Sequence, residues 1–240
     1  MFCFFPNVTV KLSKLCKSTD NISRIEMYDM RFLENFKIFV GGPSRCGKTF
    51  FVVDLIQNLK RICKKPPTNI IYVYKVWQPK YDEIRNMVTV FIEDNDELIE
   101  KIKYYKSNQN SLIVFDDLIN SKSLKNIAEL FVVDGRHMNL SLIFLSQRIF
   151  VNDEYFRQIS GNCDYFCVFK NPRKVNEIRE LAKQLTPGTL ELLNIYALAT
   201  KEPYSYLFIN LTQECPENLK YTSHLFDFDH YLKIYVEKST

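Results

Sequence analysis

Residues 42–49 form a short segment whose residue types and spacing suit it to bind a triphosphate. The segment follows the P-loop pattern, in which a second glycine is followed by lysine and then by serine or threonine. The backbone N–H groups of such a loop surround the phosphates, the side chain of Lys48 reaches the β- and γ-phosphates, and the Thr49 hydroxyl binds Mg²⁺. The segment therefore predicts ATP and Mg²⁺ as cofactors. The predicted nucleotide-binding residues are Gly42, Pro43, Ser44, Arg45, Cys46, Gly47, Lys48 and Thr49.

Two adjacent acids, Asp116 and Asp117, stand near the end of the apolar run Ser111–Leu118. Such a run is typical of a strand buried on both faces of a parallel sheet. Ligands of open parallel sheets bind at the carboxyl ends of the strands, so Asp116 is predicted to hold Mg²⁺ together with Thr49. Asp117 is predicted to act as general base on the attacking water. The alternative for Asp117 is that it caps the following helix, because aspartate is a favourable N-cap residue.

A third polar site follows the apolar run that begins at Asn139 and ends at Gln147. If this strand neighbours the strand before the P-loop, Gln147 lies beside the γ-phosphate and can hydrogen-bond it or the attacking water. Gln147 is therefore predicted to be a catalytic sensor. The alternative is that it is simply a polar residue that closes a strand.

The elements that must position these residues alternate between strands and helices. An apolar strand at 37–40 precedes the P-loop, and apolar residues at helical spacing follow it from Phe50 to Leu59. The alternation predicts an α/β fold, a three-layer sandwich with a mainly parallel sheet. The predicted organisation is an N-terminal extension at 1–35, a P-loop ATPase domain at 36–211 and a C-terminal tail at 212–240. Further strands are predicted at 70–76, 88–94, 111–118, 139–147, 163–171 and 204–211.

Composition sets broader limits on the protein. The chain has 240 residues, of which 46% are hydrophobic, which is enough for one sizeable core. Its net charge of +4 permits a nucleic-acid partner without requiring one. The seven cysteines have no regular spacing, which favours a reducing compartment over a disulfide framework. The apolar N-terminus lacks a basic segment and is interrupted by Pro6, so neither a signal peptide nor a membrane partner is predicted.

Four segments in this order resemble the DNA-packaging ATPases of eukaryotic DNA viruses. They read GGPSRCGKT, IVFDDL, GRHMNLSLIFLSQ and DYFCVFKNPR, and the resemblance extends from about Lys37 to Leu211. That group includes the poxvirus-type packaging ATPase and its relatives in virophages and Polinton/adintovirus-like elements, all within the FtsK–HerA superfamily. The resemblance implies a RecA/FtsK-like P-loop NTPase that hydrolyses ATP and translocates double-stranded viral DNA into a preformed capsid. It also implies that Asp116 and Asp117 form the Walker B element and that Gln147 is the sensor.

The same resemblance implies the partners and the location. It implies a homo-oligomeric ring that contacts double-stranded DNA independently of sequence, with a viral capsid vertex as a further partner. It places the protein inside the host cell, in the nucleus or a cytoplasmic virus factory, with virion association as a further location. Ring motors use a positive group from the neighbouring subunit to stabilise charge on the transferring phosphoryl group. Arg136 is the first candidate for this catalytic role, and Arg148 and Arg173 are the others; each is otherwise a solvated surface arginine.

Besides a non-enzymatic remnant, such as a domesticated viral gene, which aspartate in place of glutamate at position 117 leaves open, two other classes of enzyme stay open from the residues alone. One is another DNA-translocating or helicase-type ATPase of the same superfamily, whose motifs overlap with those above. The other is a P-loop kinase for a nucleotide or small molecule. DNA-stimulated hydrolysis without phosphoryl transfer to a small acceptor would separate the motors from the kinase.

Overall fold

The computed structural model describes residues 3–4, 28–106, 110–134, 139–185, 189–226 and 232–236. Its strands are β1 (Cys3–Phe4), β2 (Tyr28–Asp29), β3 (Lys37–Gly41), β4 (Asn69–Tyr74), β5 (Val90–Glu93), β6 (Ser111–Asp116), β7 (Leu140–Ser146), β8 (Tyr165–Phe169), β9 (Tyr206–Asn210), β10 (Tyr221–Ser223) and β11 (Lys233–Tyr235). Its α-helices are α1 (Lys48–Ile62), α2 (Leu98–Tyr105), α3 (Leu124–Glu129), α4 (Glu154–Gly161), α5 (Val175–Leu185) and α6 (Thr189–Ala199). Short 3₁₀-helices span Pro79–Ile84 and Glu217–Leu219, and Leu130–Asp134 form a π-helical turn after α3.

Nine of these strands form one mixed sheet in the order β11-β10-β9-β8-β3-β7-β6-β4-β5. The strands from β8 to β5 in this order are parallel, whereas β9, β10 and β11 each pair antiparallel with a neighbour. The central strands β3, β6, β7 and β8 are buried along their whole length, as their mainly apolar sequences predict. The predicted α/β fold with a mainly parallel sheet is therefore confirmed.

Helices cover both faces of the sheet and produce the predicted three layers. Helix α1 buries Phe51, Val52 and Leu55 against the face that carries Ile38 and Val40 of β3. Helices α2 to α6 cover the opposite face, which carries Phe39. Among the described residues, no helix has both the length and the apolar character that crossing a membrane requires.

The sheet continues beyond residue 211. Strand β10 pairs with β9, and β11 pairs with β10, so both strands belong to the central sheet. Leu232 and Ile234 are buried in the same core as α1. At the other end, Phe32 is buried in that core and its backbone bonds to residues 62 and 64. Short segments outside the predicted boundaries at 35 and 211 therefore add to the core and the sheet of the predicted P-loop domain.

Candidate nucleotide-binding site

The P-loop has a backbone conformation that requires its glycines. Gly47 caps the N-terminus of α1 with φ 109° and ψ 5°, a left-handed conformation that glycine adopts without steric cost. Gly42 has a packing constraint instead: a methyl group there would lie 2.7 Å from Cβ of Phe169 and 2.8 Å from Sγ of Cys46. The residue between them at position 45, an arginine, also has a positive φ of 62°. The loop therefore turns sharply between β3 and α1, as the sequence pattern predicts.

Hydrogen bonds fix the loop at the carboxyl edge of the sheet. The backbone N–H of Gly42 donates to the carbonyl of Ser146 at the end of β7, over 3.1 Å. The Lys48 ammonium group donates to the carbonyls of Gly42 and Pro43 over 2.7 and 2.8 Å. Lys48 is only 9% exposed, so its charge is held inside the curve of the loop. Together with the N-terminus of α1, this arrangement concentrates positive potential where a phosphate would bind.

Thr49 is held by a residue from another strand end. Its hydroxyl donates to Oε1 of Gln78 over 3.1 Å. Gln78 lies after β4 and directly before the 3₁₀-helix Pro79–Ile84. The segment after β4 therefore contacts the first turn of α1 and orients the hydroxyl that is predicted to bind a metal ion.

Asp116 ends β6 and is only 4% exposed. Its Oδ2 atom accepts hydrogen bonds from the hydroxyls of Tyr72, at 2.9 Å, and Tyr81, at 2.8 Å. Burial raises the pKa of Asp116 above its ordinary value, and the two tyrosine hydrogen bonds act in the opposite direction. Both tyrosines use the same carboxylate oxygen, so Oδ1 remains for another ligand.

The predicted base and sensor are in direct contact. Nε2 of Gln147 donates to Oδ2 of Asp117 over 2.6 Å, and the donor must be the amide nitrogen because a carboxylate only accepts. Asp117 has a positive φ of 60°, and its N–H donates to the carbonyl of Leu145. Helix α3 begins at Leu124, so the alternative that Asp117 caps that helix is wrong.

The sheet order explains why these side chains meet. Strand β7 lies between β3 and β6, with Gly41 paired to Ser146 and Asp116 paired to Leu145. The strand that carries Gln147 therefore neighbours the strand before the P-loop, which was the condition for its predicted role. The three strand ends reach the same edge of the sheet at the same level.

One cleft of about 930 Å³ opens at this edge. Of the predicted site residues, the cleft is lined by Ser44, Arg45, Gly47, Lys48, Thr49, Asp116, Asp117 and Gln147. The carbonyls of Gly42 and Pro43 accept hydrogen bonds from the Lys48 ammonium group inside the loop. Cys46 packs against the core, and burial raises the pKa of its thiol, so this cysteine stays protonated at neutral pH.

The oxygen atoms in the cleft fit Mg²⁺. This ion prefers hard oxygen ligands, and in phosphate-binding sites it takes few of them from the protein and the rest from water and phosphate. Thr49 and Asp116 line the same cleft, and the Thr49 hydroxyl and Oδ1 of Asp116 would provide two such ligands. The two tyrosines leave that Oδ1 unused, so the residues present are compatible with the metal.

The candidate arginines differ in their surroundings. Arg136, the first candidate, lies outside the described residues. Nε of Arg148 donates to Oε1 of Glu177 over 2.6 Å, and Oε2 of the same carboxylate accepts the N–H of Ile149. Arg173 is exposed between β8 and α5. Arg148 is thus tied to its own subunit, whereas Arg173 is on the surface.

Sequence reasoning missed four residues of the site. Gln78 could have been found, because it follows a predicted strand at the edge where Gln147 was identified by the same signal. Tyr72 and Tyr81 gave only the signal of core aromatic residues. The predicted strand at 204–211 includes Tyr204, but β9 begins at Tyr206, and Tyr204 lines the cleft.

The loop, the two acids at a nearby strand end and the mainly parallel three-layer sheet define the P-loop NTPase fold class. Within this class, the family model described as Poxvirus A32 protein matches residues 26–186. The chain belongs to the Poxvirus A32 protein family.

A curated relative and solved structures extend the comparison. The DNA packaging protein OPG160 of monkeypox virus is 26% identical over 182 residues, which cover 68% of this chain and 55% of that protein. The chain thus spans about half the length of this relative.

Two solved structures of the protein B204 resemble the fold. The genome packaging NTPase B204 from Sulfolobus turreted icosahedral virus 2, in complex with AMPPCP, has a TM-score of 0.54 and 18% identity over 85% of this chain and 99% of its own. The DNA-packaging ATPase B204 from Sulfolobus turreted icosahedral virus has a TM-score of 0.53 and 15% identity over 86% of this chain and 99% of its own. At these identities the likeness shows a shared fold.

Proposed function

We propose that this chain is an ATP-hydrolysing motor that translocates double-stranded viral DNA into a preformed capsid. Its family membership supports the proposal, because the monkeypox relative is named a DNA packaging protein. The observation that carries the proposal is the grouping of Lys48, Thr49, Asp116, Asp117 and Gln147 around one cleft. These side chains provide the phosphate-binding, metal-binding and water-orienting groups that hydrolysis needs.

Nucleotide binding would begin with the P-loop. Lys48 would exchange the carbonyls of Gly42 and Pro43 for the β- and γ-phosphates, which are stronger partners for an ammonium group because they are charged. Thr49 and Asp116 would hold Mg²⁺, which would neutralise part of the charge of the triphosphate when it is bound. The tyrosines on Oδ2 would keep the Asp116 carboxylate in one orientation during this step.

Hydrolysis would use the pair formed by Asp117 and Gln147. The amide nitrogen of Gln147 holds one oxygen of Asp117, which leaves the other carboxylate oxygen to accept a proton from water. The amide oxygen of Gln147 can accept the second hydrogen of that water. The pair would therefore orient one water molecule toward the γ-phosphate.

The assembly is part of the same proposal. A homo-oligomeric ring would bring a neighbouring arginine to the γ-phosphate, with Arg136 as first candidate and the exposed Arg173 as second. Binding to DNA would be through phosphates and independent of sequence, because a packaging motor must move any genome. We place the protein inside the host cell, in the nucleus or a virus factory, and with the virion at a capsid vertex.

The test is ATP hydrolysis by the purified chain with and without long double-stranded DNA. The proposal expects phosphate release that DNA stimulates, and its loss in Lys48→Ala. Transfer of the phosphoryl group to a nucleoside monophosphate would indicate a kinase instead. Strand separation on forked duplexes without uptake of duplex into capsids would indicate a helicase-type ATPase of the same superfamily.

A further inference from the structure

The cleft continues past the P-loop, away from Asp116, into a half that is lined by rings. Strands β8 and β9 lie on the opposite side of β3 from β7 and β6. The loops that follow β8, precede β9 and follow β10 therefore reach the cleft on the side that lacks the acids. This half is lined by the aromatic rings of Phe51, Phe169, Tyr204, Tyr206 and Phe226 and by the imidazole ring of His224.

This aromatic half begins at the last glycine of the P-loop. A methyl group at Gly47 would lie 3.2 Å from Cε1 of Phe169 and 3.8 Å from Cβ of Tyr204. The rings of Phe169 and Tyr206 pack against each other with centroids 5.4 Å apart, and the ring of Phe51 lies 5.1 Å from those of both Tyr206 and Phe226. A ligand that leaves the P-loop on this side meets ring surface at once.

Tyr204 is held out from the protein at the rim of this half. It is 72% exposed, which is unusual for so large a ring, and its φ is 61°. The turn that contains it is fixed by the hydroxyl of Ser205, which donates to the carbonyl of Glu202 over 2.6 Å. A side chain kept exposed by a rarely populated backbone conformation points to a function for that position.

The segment that carries His224 and Phe226 is fixed as well. His224 also has a positive φ, of 62°, and its Nδ1 lies 2.8 Å from the Ser223 hydroxyl. The next residue, Leu225, donates its N–H to the hydroxyl of Tyr206 over 2.9 Å. The hydrogen bond between Leu225 and Tyr206 thus attaches this segment to β9, so the sheet positions these side chains.

We infer that this aromatic half binds the base of a nucleoside triphosphate, stacked on the ring of Tyr204; the inference rests on the proposed function of the P-loop. The γ-phosphate must lie toward Asp117 and Gln147, because those residues carry the groups that act on it. The α-phosphate, ribose and base must then extend the other way, across Gly47 to the rings. Stacking reads the flat face of a base and not its polar edge, so ATP and GTP bind with similar affinity.

The test compares ATP with inorganic tripolyphosphate, a probe that has the phosphates but no base. Binding is measured by calorimetry on wild type, Tyr204→Ala, Tyr204→Phe and Tyr104→Ala. Tyr104 is the matched control, because it is 81% exposed on α2 and does not line the cleft. Loss of one stacking ring should weaken ATP binding about tenfold. Tyr204→Ala should leave tripolyphosphate binding unchanged, and Tyr204→Phe and Tyr104→Ala should bind ATP like wild type.

Two results would overturn the base site while leaving the P-loop function intact. One is an unchanged ATP affinity in Tyr204→Ala, and the other is an equal loss of ATP and tripolyphosphate in that variant. If wild type binds neither probe, the proposed function itself fails and the base site fails with it. Lys48→Ala serves as the reference for phosphate binding, since it should lose both probes.

Discussion

The hydrogen bond from Tyr81 to Asp116 supports a stability prediction whose size follows from the structure. The hydroxyl lies 2.8 Å from a carboxylate that is 4% exposed, and the tyrosine ring itself is fully buried. Tyr81→Phe keeps the ring and removes only the hydroxyl. A hydrogen bond to a charged group contributes about 1.5–3 kcal/mol, so we expect the free energy of unfolding to fall by about 2 kcal/mol. For a chain of this size that corresponds to a decrease in Tm of about 4–8 °C.

The measurement is urea denaturation at neutral pH, arranged as a double-mutant cycle with Asp116→Asn. In the Asp116→Asn background the same bond joins two neutral groups and contributes about 0.5–1.5 kcal/mol. The cycle should therefore give a coupling energy of about 1 kcal/mol between the two side chains. Tyr104→Phe, on an exposed ring, is the control and should change stability by less than about 0.5 kcal/mol.

The reasoning would be refuted by either of two results. If Tyr81→Phe destabilises the chain no more than Tyr104→Phe does, the hydroxyl does not support the carboxylate. If Tyr81→Phe has the same effect with aspartate and with asparagine at 116, the bond does not depend on charge. Tyr72 keeps one donor on Oδ2 in each variant, so the combined Tyr72→Phe, Tyr81→Phe chain should lose more than either single one.

The remaining predictions concern the charge of Asp116, hydrolysis and subunit contacts. Because burial raises the pKa of Asp116, its ionised form destabilises the folded chain relative to its protonated form. Asp116→Asn should therefore unfold at higher urea than wild type at neutral pH. This advantage should decline as pH falls below the raised pKa and vanish below the ordinary pKa that the aspartate has in the unfolded chain. Asp117→Asn should bind ATP, and its rate of single-turnover hydrolysis should fall about 10²–10⁴-fold. Adding Gln147→Ala should slow hydrolysis little further, since the two side chains act as one unit. If the rate losses of the two single variants multiply in the double variant, the two side chains act independently. Subunits with Arg136→Ala and subunits with Asp117→Asn should each be inactive alone and should recover ATP turnover when they are mixed. If turnover does not recover, Arg136 does not act between subunits.

The parts of the site that could be predicted from sequence are those whose geometry is local. The P-loop conformation depends on Gly47, whose left-handed φ is set within the loop itself. Asp116 could be placed because a fully apolar run that ends in an acid brings that acid to the sheet edge whatever its neighbours are. In both cases the residues that fix the position are adjacent in sequence.

The parts that could not be predicted depend on contacts between distant segments. The bonds from Tyr72 and Tyr81 to Asp116 join residues that are 44 and 35 positions apart, and nothing in an aromatic core residue indicates which polar group its hydroxyl meets. Strands β10 and β11 have three residues each, too few for alternation to show, and their place is fixed by pairing with β9. The sequence therefore predicts a tail from residue 212, because no strand pattern can be recognised after that point.

The sheet order places different kinds of side chain on the two sides of the cleft. Strands β7 and β6 lie on one side of β3, and the polar side chains at their ends line the part of the cleft where we propose that the phosphates and the metal bind. Because β8 and β9 lie on the other side, the segments at their ends bring rings such as Phe169 and Tyr204 to the same opening. A nucleotide has the same division, with charge at one end and a flat apolar surface at the other. The P-loop between β3 and α1 is the boundary, so one strand order would account for both the proposed orientation of the nucleotide and the proposed position of the attacking water.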